Sequence, residues 1–183
     1  MQGIGGGNEC LLAFWLRAHV TGRIDARNED CKASLYDTFG DKRALYLKAL
    51  SQYRDNDHLR LRRLFASGQS MKDDFAAILF GISRESREEH ERGCLLLSAN
   101  MERDAKDKVI AEFLLDNQLK TEAIFTDALQ RGQASGEVSA KQDPAALARF
   151  FVATIQGMRA MAKLNSNRKA LEQVAKLALS TIG

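Results

Sequence analysis

A single proline, Pro144, stands in 183 residues. Proline removes a backbone donor and breaks helix interiors, so its scarcity leaves almost the whole chain free to be helical, and the abundant Ala, Leu, Lys and Glu favour helix over sheet. Cysteine is equally sparse: Cys10, Cys31 and Cys94 form no disulfide framework by count, and a reducing compartment is the natural reading. Long apolar runs are missing too. Nothing approaches the roughly 18 residues of a membrane span, and the opening M-Q-G-I-G-G-G-N-E lacks the basic-then-apolar order of a secretory signal. No membrane partner and a cytoplasmic location are therefore expected. Neither internal repeats nor low-complexity tracts are visible.

Catalytic patterns are also absent. A nucleophile with its base, paired carboxylates or a phosphate loop would be needed, and G-I-G-G-G at residues 3–7 has no preceding strand and no Lys-Ser/Thr ending. It reads as a flexible terminus. Cys10, His19 and Cys31 match no zinc spacing and lack a fourth ligand. No enzyme, metal or cofactor is expected.

What is present is a chain with 45% hydrophobic and 28% charged residues, enough for one sizeable core or two small ones. Its net charge of +3 is unevenly spread. Residues 1–69 hold 11 Lys+Arg against 8 Asp+Glu, whereas residues 70–183 hold 16 against 16. The excess positive charge lies where a phosphate-binding surface is expected below.

Apolar spacing predicts a helix from about 42 to 66, with Asp41 as N-cap. Ser70 and Asp73 read as a capping box opening a helix with the stripe Met71, Phe75, Ile78 and Ile82. Residues 84–92, R-E-S-R-E-E-H-E-R, read as a solvated connection, with His58 and His90 both solvated among charges. A short apolar segment, 94–99, precedes a long helix from about 104 to 131, after which Gly132 and Gly136 punctuate a loop. Asp143 and Pro144 start another helix, and a last one runs from about 168 to 181 after Asn167. The expected fold is all-α.

The most informative string is 34–53, S-L-Y-D-T-F-G-D-K-R-A-L-Y-L-K-A-L-S-Q-Y, which joins a short amphipathic helix to a long one through Gly40. That is the second half of a helix-turn-helix, a motif whose recognition helix lies in the DNA major groove. The string resembles the TetR family of transcriptional regulators, in which a recognition helix ends in L-Y-x-x-F, followed by a small turn residue, a polar residue and a lysine. Leu35, Tyr36, Phe39, Gly40, Asp41, Lys42 and Leu45 fill those places. R-G-C-L-L-L, L-Q-R-G-Q-A-S-G-E and D-P-A-A-L-A-R-F-F further along look like the effector domain of the same family.

The resemblance implies an N-terminal DNA-binding domain over 1–50 and a helical effector-binding and dimerisation domain over 51–183. Double-stranded operator DNA, a small-molecule effector and a second copy of the chain are the implied partners. Lys32, Ser34 and Thr38 are the candidates for base edges, with Tyr36 and Lys42 on the DNA backbone, while Leu35, Phe39 and Leu45 are expected in the core. Phe75, Leu79, Asn117, Thr121, Phe151 and Met158 are nominated as walls of an apolar effector pocket, Asn117 and Thr121 because they interrupt an apolar stripe. The last two helices carry more apolar surface than one core contact uses. Leu147, Phe150, Ile155, Met161, Leu171, Val174 and Ala178 are the expected dimer interface, half of a four-helix bundle on a two-fold axis. Cys94 reads as a small buried hydrophobe rather than a sensing thiol.

Residues 16–31 depart from the family pattern: only Val20 and Ile24 are apolar anchors and the expected turn glycine is missing. Two readings stay open, a divergent positioning helix or a segment shifted in coding frame up to about Lys32. Under the second, the chain is a dimerising, ligand-binding module that has lost DNA binding.

Overall fold

Most helix starts among the described residues coincide with side chains able to accept an otherwise orphaned backbone N–H; the helix after Cys94 has no such cap. The computed structural model describes residues 41–68 and 70–182, and among these every regular element is an α-helix. Numbered from the first described helix, they are α1 (Lys42–Phe65), α2 (Met71–Arg84), α3 (Arg87–Arg92), α4 (Leu95–Glu102), α5 (Lys108–Ser135), α6 (Pro144–Leu164) and α7 (Arg168–Leu179). The all-α expectation holds.

Asp41 Oδ1 accepts from Ala44 N at 2.7 Å at the start of α1, Asp143 Oδ1 accepts from Ala145 N at 2.9 Å with Pro144 in the first turn of α6, and Asn167 Oδ1 accepts from Ala170 N at 3.1 Å at α7. Such caps contribute about 1 kcal/mol each. At α2, only half of the expected box forms. Ser70 Oγ accepts from Asp73 N, but the Asp73 carboxylate takes the Ser70 hydroxyl proton rather than the cap N–H. Aspartate is one methylene shorter than the glutamate this motif uses.

The complete box lies where the sequence reading had a solvated connection. Ser86 Oγ accepts from Glu89 N at 3.2 Å and Glu89 Oε2 accepts from Ser86 N at 2.7 Å, so R-E-E-H-E-R is helix α3. The Ser86 backbone N–H first, and the Ser86 side chain second, hold the Glu89 carboxyl below its ordinary range. His90 is buried rather than solvated, its Nε2–H donating to the Ile82 carbonyl at 2.7 Å.

The long helix also shifts. Asp107 caps it through Ile110 N at 3.1 Å, and it runs through Gly132 to Ser135 before Gly136 ends it at φ +82°. Gly132 is needed inside the helix because the chain hooks back over it. A Cβ there would lie 2.7 Å from Val138 Cγ2 and 3.2 Å from Met71 Cγ.

The chain divides into two compact units, one through Asp55 and one from Asn56. In the first, Leu45, Ala49 and Leu50 are fully buried, as expected for Leu45. In the second, α2 packs on α5, α6 and α7, α6 packs on α5 and α7, and α3 and α4 close the side. Phe75 is the hub, stacked on Phe151 at 4.2 Å and 5.2 Å from both Phe65 and Phe125. Aromatic pairs of this kind contribute about 0.5–1.5 kcal/mol beyond their buried area. Asp74 is buried at the edge of this core, held by the Ser67 hydroxyl at 3.3 Å.

A candidate effector cavity

Helix stripes that do not quite meet leave space, and the described residues that line it here all belong to the second unit. A cavity of about 520 Å³ opens among α1, α2, α4, α5 and α6, within the range of small-molecule sites. Leu61, Ile78, Ile82, Leu96, Leu114 and Phe125, all buried, supply its apolar surface. Gly81 adds room, since a Cβ built on it would meet no heavy atom within 4 Å.

Polar groups on the wall come from distant parts of the chain. On α5, Asn117 and Thr121 both line the cavity. The Thr121 hydroxyl donates to the Asn117 carbonyl at 2.9 Å, so its oxygen is left to accept from His58 Nε2–H of α1 at 3.1 Å. His58 is half-buried by this bond rather than solvated. Also on the lining, Arg159 of α6 pairs with Glu85, the residue after α2, at 3.3 Å, and Asp57 pairs with Arg60 on α1 at 2.8 Å. Asn100, Arg103, Gln118, Gln156 and the free thiol of Cys94 add to the polar part.

Of the six pocket residues nominated from sequence, then, only Asn117 and Thr121 line the cavity. Phe75, Leu79, Phe151 and Met158 are at most 1% exposed and fill the core, because they form the inner face where α2 and α6 meet. Spacing alone had no signal for the Arg103, Glu85 and Arg159 positions. The capping box at Ser86 was the one clue that residues 84–92 are ordered.

The residues nominated for a dimer interface divide similarly. Phe150 and Met161 project outward at 41% and 44% exposure. Leu171 and Ala178 are instead buried within the subunit, where α7 packs on α2, and Val174 and Leu147 are half-buried against the same core. Ile155 lines the cavity. Leu164 and Leu177, at 90% and 72% exposure, are outward apolar residues that the sequence reading passed over. Lys32, Ser34, Tyr36 and Thr38 lie outside the described residues, and Lys42 is the first residue of α1.

Among the described residues no helix is long and apolar enough to cross a membrane, and no group of three His, Cys, Asp or Glu side chains could hold a metal ion. A helical bundle that encloses a cavity of ligand size and takes one wall from the helix behind a helix-turn-helix sequence has the build of a one-component regulator. Residues 76–178 match the sequence model described as the tetracyclin repressor-like C-terminal domain. The chain belongs to the TetR family of transcriptional regulators.

Individual relatives agree. The chain is 26% identical over 156 residues to an uncharacterized HTH-type transcriptional regulator, YezE, of Bacillus subtilis (strain 168), covering 82% of this chain and 79% of that protein. A cysteine mutant of the TetR family regulator CifR, complexed with 26-bp double-strand operator DNA, is 25% identical with a TM-score of 0.72 over 82% of this chain and 79% of its own. The regulatory protein TetR from Rhodobacter sphaeroides shares the fold with a TM-score of 0.82 at 19% identity, over 96% of this chain and 98% of its own. Family membership places the chain among transcriptional regulators and not among enzymes.

Proposed function

We propose that the protein is a ligand-responsive transcriptional repressor of the cytoplasm. As a homodimer it binds a palindromic double-stranded operator through residues 1–50, and a small molecule with a largely apolar body, bound within residues 51–183, releases it. Lys32, Ser34 and Thr38 read base edges, while Tyr36 and Lys42 hold the phosphate backbone. Asn117 and Thr121 orient the ligand. Two copies associate through the outward faces of α6 and α7, with Phe150, Met161, Leu164 and Leu177 as the apolar contacts.

One observation carries this reading: α1 is an unbroken helix that begins at Lys42, directly behind the expected reader, and contributes Asp57, Arg60 and Leu61 to the cavity wall. A ligand that favours one position of that helix shifts the equilibrium between DNA-competent and incompetent states. By linkage, DNA then weakens ligand binding by the same factor. The operator-bound relative supports the DNA partner.

Selection from a random duplex library with the purified full chain tests it. The expected result is an enriched inverted repeat bound with an affinity that falls steeply as salt rises. A dimer with no sequence preference would overturn the proposal in favour of a ligand-binding module that does not read DNA.

A further inference from the structure

We infer that the ligand of this cavity is an amphiphilic anion, an apolar body bearing one carboxylate, whose head group is held by Arg103. The inference rests on the reading of the cavity as the effector site and adds the head-group chemistry.

Among the described residues, five charged side chains line the wall: Asp57, Arg60, Glu85, Arg103 and Arg159. Both carboxylates are already neutralised from within it. Asp57 accepts from Arg60 at 2.8 Å, and Glu85 accepts from Arg159 Nη1 at 3.3 Å, its other oxygen lying 4.0 Å from His90 Nε2. No acidic side chain among the described residues lies within ion-pair distance of Arg103. The described wall therefore carries one uncompensated positive charge.

That balance discriminates between ligands of the same apolar body. A cation would gain a partner only by breaking an existing ion pair. A neutral head would leave the Arg103 guanidinium as it is. A carboxylate would accept two parallel N–H donors from the planar guanidinium, a geometry that an ammonium side chain does not offer. Arg103 is exposed at the end of α4, so the head group stays at the rim while the chain enters the apolar surface beneath. One free guanidinium matches one negative charge.

Titration calorimetry of the full-length protein with octanoate, octan-1-ol and octyltrimethylammonium, each below its self-association concentration, tests this. Octanoate is expected to bind tightest, by about tenfold over octan-1-ol at low salt, the scale of one charge-assisted contact, with the margin shrinking at high salt. Arg103→Gln should bring octanoate down to the affinity of octan-1-ol and leave octan-1-ol unchanged. Gly81→Phe, where the added side chain enters open space, should abolish binding of all three.

If octan-1-ol or the ammonium binds wild type as tightly as octanoate, or the octanoate preference survives Arg103→Gln, the head-group assignment is overturned while the cavity reading stands. If no probe binds, or binding survives Gly81→Phe in a folded variant, the cavity reading falls and this inference with it. Arg103 is a surface residue, so its variant decides the head group even if Gly81→Phe fails to fold.

Discussion

Thr121 Oγ1 lies 3.1 Å from His58 Nε2, tying the middle of α5 to α1 beside the cavity. The Thr121 proton is committed to the Asn117 carbonyl, so the imidazole must donate through Nε2. A cavity-lining hydroxyl thus holds the helix that leads back to the N-terminal unit. Thr121→Val leaves the imidazole N–H without this acceptor and should cost about 1 kcal/mol in urea unfolding. A double-mutant cycle with His58→Phe should return a coupling of about 0.5–1.5 kcal/mol. Additive losses would show that the pair contributes nothing.

Gly132 is set by contact and not by backbone angle. Gly132→Ala improves helix propensity by up to about 1 kcal/mol, yet its Cβ would approach the stiff, branched Val138 to 2.7 Å. Overpacking of this kind costs about 1–3 kcal/mol, so the variant should melt below wild type. Adding Val138→Ala should cost less in that background than in wild type. A Gly132→Ala protein more stable than the parent would refute the account.

Asp74 gives a pH signature of definite sign. Burial pushes its carboxyl above the ordinary 3.8, opposed by the Ser67 hydrogen bond and by Arg131. The folded state therefore binds the proton more tightly than the unfolded chain does, and this residue's contribution to stability falls as pH climbs upward from that value. Asp74→Asn should be more stable than wild type at pH 8, with the difference shrinking toward pH 4. Parallel stability curves for the two proteins would contradict the shift.

The outward face of α6 offers a test of assembly. Phe150→Glu combined with Met161→Glu changes residues that are 41% and 44% exposed, so the helical fold should survive. Under the proposed dimer, two buried carboxylates per subunit would face each other across the two-fold axis at high cost. Sedimentation at micromolar concentration should show monomers. An unchanged dimer would move the interface elsewhere.

How far the sequence could be read depended on whether a feature was local. Asp41, Asp143 with Pro144, and Asn167 are short-range devices, and each helix began where they stood. Reading Ser70 and Asp73 as a complete box goes one step too far, because whether the box closes depends on side-chain reach. Residues 84–92 were missed for the opposite reason. Their charge density reads as solvation although Ser86 and Glu89 stand at capping-box spacing, and nothing local reveals that His90 is drawn inward to the Ile82 carbonyl.

The choice between core and cavity was not local at all. Phe75, Leu79, Phe151 and Met158 have the same apolar, helical spacing as Ile78, Ile82 and Val152, yet the first group packs shut and the second faces open space. Which stripe closes depends on how α2, α5 and α6 pack, a property of three segments widely separated in the chain. Leu171 and Ala178 illustrate the same limit, spent on α2 within the subunit although their pattern was equally consistent with an outer face.

The positions of α1, α2, α6 and α7, the family pattern over 34–53 and the two polar breaks in the α5 stripe followed from neighbouring residues, because capping and periodicity act within a few positions of the chain. Tertiary packing alone decided where the cavity opens, which ion pairs neutralise its carboxylates and why Arg103 is left with its charge unmatched. Those outcomes depend on distances between helices, and side chains far apart in sequence acquire such distances only when the bundle closes.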